Sequence, residues 1–296
     1  MGSREGGQNL GRPMQHRGPA RRVRRHAADG RGRSGSGGES HGHQGRPPTT
    51  PIPFPGALSM GRSFGKPPGR RLTEAVRIER AAPWTWSANP RSSVYGETLR
   101  KAKDGEWRRW DPRRSKVSSG LLRTDAAPER LLPAPGSHVL YLGAGHGTTV
   151  SHIHDVVCHG QAQGRVVAVD HSPRCLRDLT RLAHARPGLV PVLGDARRQE
   201  AWRMWLPHGA SWVFQDVAQA HQASIFTAAC QRFLLPGGRG LLSLKVESDR
   251  GTDAAALRVK VEEELGAAEL VLDEVIDLEG FEDDHLLFVV GRSERA

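Results

Sequence analysis

The stretch His138–Thr149 reads HVLYLGAGHGTT, and its interpretation decides the fold. Five residues with an apolar run, His138–Leu142, predict a strand. Gly143, Gly145 and Gly147 follow at once and permit a tight turn with close approach of backbone to a ligand. A helix is predicted near Thr149–Val157, and its first turn offers unpaired N–H groups. Working outward, strand and helix signals alternate. Arg165–Asp170 (RVVAVD) predicts a second strand, followed by a helix with Leu176, Leu179 and Ala183 on one face. Leu189–Leu193 and Ser211–Gln215 predict the third and fourth strands. The next helix carries Phe226, Ala229, Cys230 and Phe233 at helical spacing and is expected to stop at Pro236-Gly237-Gly238. A fifth strand is expected at Gly240–Lys245, then a helix with Leu257, Val261 and Leu265. The apolar runs Leu270–Ile276 and Leu286–Val290 close the pattern. Such alternation predicts an α/β, Rossmann-like fold with a mainly parallel sheet covered on both faces.

Charge and composition divide the chain of 296 residues. Residues 1–70 hold 13 basic and 3 acidic side chains, with 16 of the 35 glycines and 9 of the 20 prolines. That segment is expected to be a disordered, basic Arg/Gly/Pro-rich tail, because few aromatics and high charge leave too little apolar surface to offset ordering entropy. It reads equally as a sequence-independent electrostatic RNA arm or as an inert extension, with Met60 as an alternative start. Residues 71–112, where Val76 and Ile78, then Trp84 and Trp86, alternate with other residues, are expected to form a small β-rich element. Residues 113–296 are expected to form the main α/β domain. No apolar run approaches the length of a membrane span, and the N-terminus lacks the apolar core of a secretory signal. Cys158, Cys175 and Cys230 are odd in number, far apart and without CxxC, which argues against a disulfide framework or zinc site and for a reducing compartment. His152 and His154 face different sides of a helix, so no metal is expected.

In sheets of this kind ligands sit beyond the carboxyl ends of the strands, where strand order reverses. Asp170 ends the second strand and suits the two hydroxyls of a ribose. Asp195 follows the third, in Gly194-Asp195-Ala196, and suits an adenine amino group. Two cofactors compete for such a site. A dinucleotide calls for GxGxxG around its pyrophosphate, but Thr148 stands where the last glycine would be. The GxGxG spacing of Gly143, Gly145 and Gly147 suits S-adenosylmethionine better. Asp216, Lys245 and His285 also fall at strand ends. Trp107–Lys116 (WRRWDPRRSK) interleaves aromatics with arginines, a pattern suited to stacking on RNA bases and pairing with phosphates.

From Val94 to Gly291 the chain resembles the fibrillarin family of box C/D guide-RNA-directed ribose 2′-O-methyltransferases. The resemblance is carried by VYGE (94–97), WDPRRSK (110–116), VLYLGAGHGTTVSH (139–152), AVDHS (168–172), GDARR (194–198), DVAQ (216–219), LSLK (242–245) and DDHLLFVVG (283–291), with an archaeal cast in its last motif. It implies a seven-stranded methyltransferase sheet and a catalytic tetrad of Lys116, Asp216, Lys245 and His285. It adds Thr148, Thr149, His171, Ala196 and Asp216-Val217-Ala218-Gln219 to the cofactor contacts. It further implies rRNA, with tRNA as a second substrate class, as the methyl acceptor. Partners would be guide RNA, a Nop-type scaffold and a kink-turn-binding protein. The compartment would be the cytoplasm, or the nucleolus for a eukaryotic chain. A stand-alone RNA 2′-O-methyltransferase and a catalytically silent RNA-binding scaffold are the alternatives.

Overall fold

A computed structural model describes residues 69–246 and 254–294. The expected tail therefore lies outside the described residues, apart from its last two positions. The described part belongs to one compact unit, Ser63–Ala296.

Its N-terminal part, up to Arg109, is antiparallel. β1 (Arg70–Arg71), β2 (Val76–Glu79), β3 (Ala82–Trp86), β4 (Leu99–Ala102) and β5 (Gly105–Arg109) form a five-stranded sheet of order β1-β2-β3-β5-β4. α1 (Lys116–Arg123) begins where the Ser115 hydroxyl accepts the N–H of Ser118 at 3.4 Å. The glycine turn joins β6 (His138–Leu142) to α2 (Thr148–Val157), and β7 (Arg165–Asp170) to α3 (Pro173–His184) follows the same plan. The remaining elements are β8 (Leu189–Leu193), β9 (Ala210–Gln215), α4 (Gln222–Phe233), β10 (Leu234–Lys245), α5 (Ala254–Ala267), β11 (Leu270–Asp277) and β12 (His285–Arg292).

The second sheet has seven strands in the order β11-β12-β10-β9-β6-β7-β8. β8, β7, β6, β9 and β10 run parallel; β12 is inserted antiparallel between β10 and β11. Side chains alternate across it. Leu140, Leu142, Val167 and Val169 pack on one face with α4 and α5; Val139, Tyr141, Val166 and Ala168 pack on the other with α1, α2 and α3. Each fully buried Val or Leu contributes about 1.5–3 kcal/mol, so both faces are needed to cover strands this apolar. Among the described residues no helix is long and apolar enough to cross a membrane.

Two expectations are corrected. β10 starts at Leu234, not Gly240: α4 already ends at Phe233, and Pro236-Gly237-Gly238, expected to stop the helix, lies inside the strand at a shift of register between Leu234 and Arg239. A bulge tolerates proline and glycine where a regular ladder does not. The Trp107–Trp110 stretch is not an RNA-stacking surface, because Trp107, Arg108 and Trp110 are fully buried. Arg108 Nε donates to Glu97 Oε1 at 2.8 Å and its Nη1 reaches Asp155 Oδ2 at 2.5 Å, while Arg186 Nη1 reaches Asp155 Oδ1 at 2.5 Å. Burial works against the Arg108 charge, yet Asp155 and Glu97 raise its pKa above the ordinary value. The chain of charges ties the small sheet to α2.

His152 completes this junction as a neutral ring. It stacks on Trp110 with centroids 5.0 Å apart, lies 2.7 Å from Thr85 Oγ1 through Nδ1, and 2.8 Å from the Tyr95 hydroxyl through Nε2. Burial, with Arg108 and Arg186 close by, holds its pKa well below the ordinary value, and burial also lowers that of His154. The unfolded chain takes up protons near the ordinary histidine value of about 6.5, whereas the folded chain does not. Stability is therefore full above that pH and falls as pH drops below it, by up to about 1.4 kcal/mol per pH unit for each such histidine. Urea unfolding between pH 7.5 and pH 5 is expected to give this slope, and His152→Gln to flatten it.

Candidate adenosyl-cofactor and catalytic site

The reversal of strand order falls between β7 and β9, the two neighbours of β6. One peptide serves both sides there. Gly143 N–H donates to the Val169 carbonyl at 2.9 Å, and the Leu142 carbonyl accepts the N–H of Asp216 at 2.9 Å. Gly143 has φ +78°, and a Cβ on it would lie 2.1 Å from the Asp216 carbonyl oxygen. No other residue fits.

Beyond these strand ends opens a cleft of about 450 Å³. Gly143, Gly145, Asp170, His171, Asp195 and Ala196 line it, as do Asp216, Val217, Ala218 and Gln219. Asp170 is nearly buried. Its Oδ2 accepts the Gly145 N–H and its Oδ1 the Ser172 N–H, both at 2.8 Å. Each oxygen has a second lone pair, enough to accept from a vicinal diol. Asp195 carries a forked pair with Arg197, whose Nε lies 3.0 Å from Oδ1 and Nη2 2.7 Å from Oδ2. That hydrogen-bonded guanidinium brings the Asp195 pKa down to about 2.

Three expected contacts stand apart from the cleft lining. Gly147, at φ +90°, faces the Leu182 side chain, so it serves helix packing. Thr148 opens α2, and its carbonyl accepts the Ser151 hydroxyl at 2.9 Å. The Thr149 hydroxyl donates to Ser115 Oγ at 2.9 Å and so fixes the start of α1, where Lys116 sits, against the glycine turn.

The four expected catalytic residues come from α1, the end of β9, the end of β10 and the start of β12. Lys116 Nζ lies 3.3 Å from Asp216 Oδ2 and 3.6 Å from Glu282 Oε2. Lys245 and His285 are directly opposed across the β10–β12 ladder. His285 Nδ1 is 3.0 Å from the Asp283 carbonyl. The Gln222 side chain clamps the Lys245 backbone, accepting its N–H at 3.2 Å and donating to its carbonyl at 3.4 Å. Glu282, Gln222, Arg197 and Cys175, another lining residue, were not singled out by sequence. Their positions follow from turns and pairings that no local pattern signals.

This strand order, a glycine turn at the reversal and carboxylates at the next strand ends define an α/β protein with a nucleoside-type cofactor cleft. The chain belongs to the fibrillarin family, whose model matches residues 74–294. It is 41% identical over 202 residues to the fibrillarin-like rRNA/tRNA 2′-O-methyltransferase of Thermococcus onnurineus, covering 68% of this chain and 86% of that one. It is 30% identical, with a TM-score of 0.66, to Aeropyrum pernix fibrillarin solved with natively bound S-adenosyl-L-methionine, covering 75% and 97% of the two chains. A fibrillarin/Nop5p complex gives 27% identity and a TM-score of 0.64, covering 74% and 97%.

The close approach at Gly143 sets two glycines apart. Gly143→Ala meets both a left-handed φ and the Asp216 carbonyl, and is expected to cost more than about 2 kcal/mol. Gly145→Ala, with φ +55° and open space around it, is expected to cost about 1–2 kcal/mol from backbone strain alone. Denaturant unfolding of the two variants checks the difference.

Proposed function

We propose that this protein transfers the methyl group of S-adenosylmethionine to ribose 2′-oxygens of rRNA, and of tRNA, within a box C/D guide ribonucleoprotein. The observation that carries the reading is the placement of Asp216, which lines the cofactor cleft and pairs with Lys116. Membership of the fibrillarin family supports it, as do the name of the Thermococcus relative and the cofactor bound in the Aeropyrum structure.

The residues present fit an adenosyl cofactor. Asp170 receives the ribose hydroxyls and Asp195, with Ala196 beside it, the adenine edge. The Gly143–Asp216 contact excludes a side chain at position 143, and Asp216-Val217-Ala218-Gln219 forms the facing wall. When bound, S-adenosylmethionine supplies an electrophilic methyl carbon. A neutral hydroxyl is a weak nucleophile, so its proton must leave as it attacks. Lys245 orients the 2′-hydroxyl and takes up the proton it loses. Asp216 holds Lys116 in place, with Glu282 as its second anchor. Lys116 and His285 orient the ribose and stabilise developing charge. Much of the acceleration comes from holding two reactants in line.

The fibrillarin/Nop5p complex supports a Nop-type scaffold as partner. The near balance of charge beyond residue 70, 30 basic against 29 acidic side chains, supports delegation of target choice to guide RNA held with a kink-turn-binding protein, and the archaeal relatives support a place in the cytoplasm of an archaeal-type cell. Reconstitution with guide RNA, scaffold and kink-turn protein, followed by mapping of methylated riboses, tests the reading. Methylation at the guide-selected nucleotide alone supports it. Equal methylation of free RNA favours a stand-alone enzyme, and no transfer at all favours a silent scaffold. In the assembled particle Lys245→Ala is expected to lower the single-turnover rate by about 10²–10⁴-fold, with cofactor affinity within about twofold of the parent because Lys245 acts on the acceptor.

A further inference from the structure

One group of side chains at the cleft has no part in methyl transfer. Cys175 lines the cleft from the first turn of α3. Its Sγ lies 3.9 Å from His146 Nε2, in the glycine turn, and His146 Nδ1 lies 2.8 Å from Asp178 Oδ2, farther along α3. An ionised carboxylate can only accept, so Nδ1 carries the proton and Nε2 is left free to receive one from the thiol. Asp178 is itself fixed by Arg177 Nε at 3.4 Å and Arg181 Nη1 at 3.2 Å on Oδ1. Its hydrogen bond with His146 pulls its pKa below the ordinary carboxylate value. A thiol at a helix N-terminus, beside a base oriented by a carboxylate and among arginines, has the surroundings of a reactive cysteine.

The other two thiols lack this arrangement. Cys230 is fully buried, and burial pushes its pKa up. Cys158 is also pushed up by burial. The ring beside it, His154, directs Nε2 to the Pro187 carbonyl at 2.8 Å, so that nitrogen donates and cannot accept the thiol proton. The Cys175 trio is no metal site either, since Nδ1 of His146 is engaged by Asp178 and only one sulfur and one nitrogen face each other.

We propose that Cys175 is a site of reversible thiol–disulfide exchange with small disulfides, and that its modification closes the cofactor cleft. The inference rests on the reading of that cleft as the S-adenosylmethionine site. His146 Nε2 takes the thiol proton, and the thiolate attacks one sulfur of the incoming disulfide. A new S–S bond forms to Cys175 as the old one breaks. The departing thiolate takes the proton from the imidazolium and leaves as a thiol. The small disulfide is the only oxidant, and one small thiol is released per protein modified. The added group then lies in the cleft beside Asp170, where the ribose would sit. Bound cofactor and the modification exclude one another.

Treatment of the full chain with glutathione disulfide, with peptide mass mapping over time, tests this. Cys175 is expected to react about tenfold or more faster than Cys158 or Cys230, and His146→Ala to slow it towards the other two. S-adenosylmethionine is expected to protect Cys175. Equilibrium binding of S-adenosylmethionine is expected to fall about tenfold or more after modification and to return with dithiothreitol. Cys175→Ser and Cys175→Ala, each compared with its own untreated sample, are expected to keep their affinity through the same treatment. Equal reaction of the three cysteines, or modification of Cys175 without loss of binding, overturns the inference. Loss of binding in both Cys175 variants also overturns it, by assigning the effect to another residue. An untreated chain that binds no S-adenosylmethionine overturns the reading of the cleft, and the proposed closure with it. A chain that binds the cofactor but whose Cys175 reacts no faster than its neighbours overturns the thiol proposal alone.

Discussion

The contact between Gly143 and the backbone of Asp216 governs this site. β6 and β9 lie side by side, and their ends approach so closely that a Cβ at position 143 would sit 2.1 Å from the Asp216 carbonyl oxygen. That constraint explains the glycine. It also gives the turn and the carboxylate one common reference. The turn reaches Asp170 through the Gly145 N–H, and Asp216 reaches Lys116. The cleft and the Lys116–Asp216 pair are thus two sides of one backbone contact. A ligand at such a reversal of strand order touches residues from several strands at once, and here residues at the ends of β6, β7, β8 and β9 all line the cleft.

The second support is electrostatic and expensive. Glu97, Arg108, Asp155 and Arg186 are all buried in the junction between the small sheet and α2. Ion pairs of this kind seldom add net stability over apolar packing, but removing one partner leaves a buried charge uncompensated, at about 3–5 kcal/mol. The arrangement therefore fixes how the small sheet sits on α2 more than it strengthens the fold. It also bears on the site. β5 leads directly through Trp110 and Asp111 to Ser115 and Lys116, so the placement of the small sheet sets where the Lys116 side chain starts. Ser115 accepts the Thr149 hydroxyl, joining that same point to the first turn of α2.

The parallel strands could be read from sequence because strands covered on both faces are nearly continuous apolar runs. HVLYL, RVVAVD and LVPVL end where β6, β7 and β8 end. The strand ends in turn point to Asp170, Asp195, Asp216, Lys245 and His285. What stayed illegible depends on partners distant in the chain. WRRW looks like an RNA surface until Asp155, 47 residues beyond Arg108, is seen to bury its guanidinium. Pro236-Gly237-Gly238 looks like a helix stop, yet the helix ends earlier, at Phe233, and the triplet is accommodated in the strand where β10 shifts register against β9. Glu282 reaches Lys116 from a turn whose sequence carries no pattern, and Gln222 clamps Lys245 from the next helix in space.

The glycine turn and the carboxylates at the ends of β7 and β9 suit the cleft to an adenosyl sulfonium and not to a dinucleotide. Calorimetric titration of the full chain with S-adenosylmethionine and, separately, with NAD tests it most directly. One S-adenosylmethionine per chain is expected, with binding lost on Asp170→Ala and no heat with NAD. Saturable binding of NAD, or S-adenosylmethionine binding indifferent to Asp170, would contradict it.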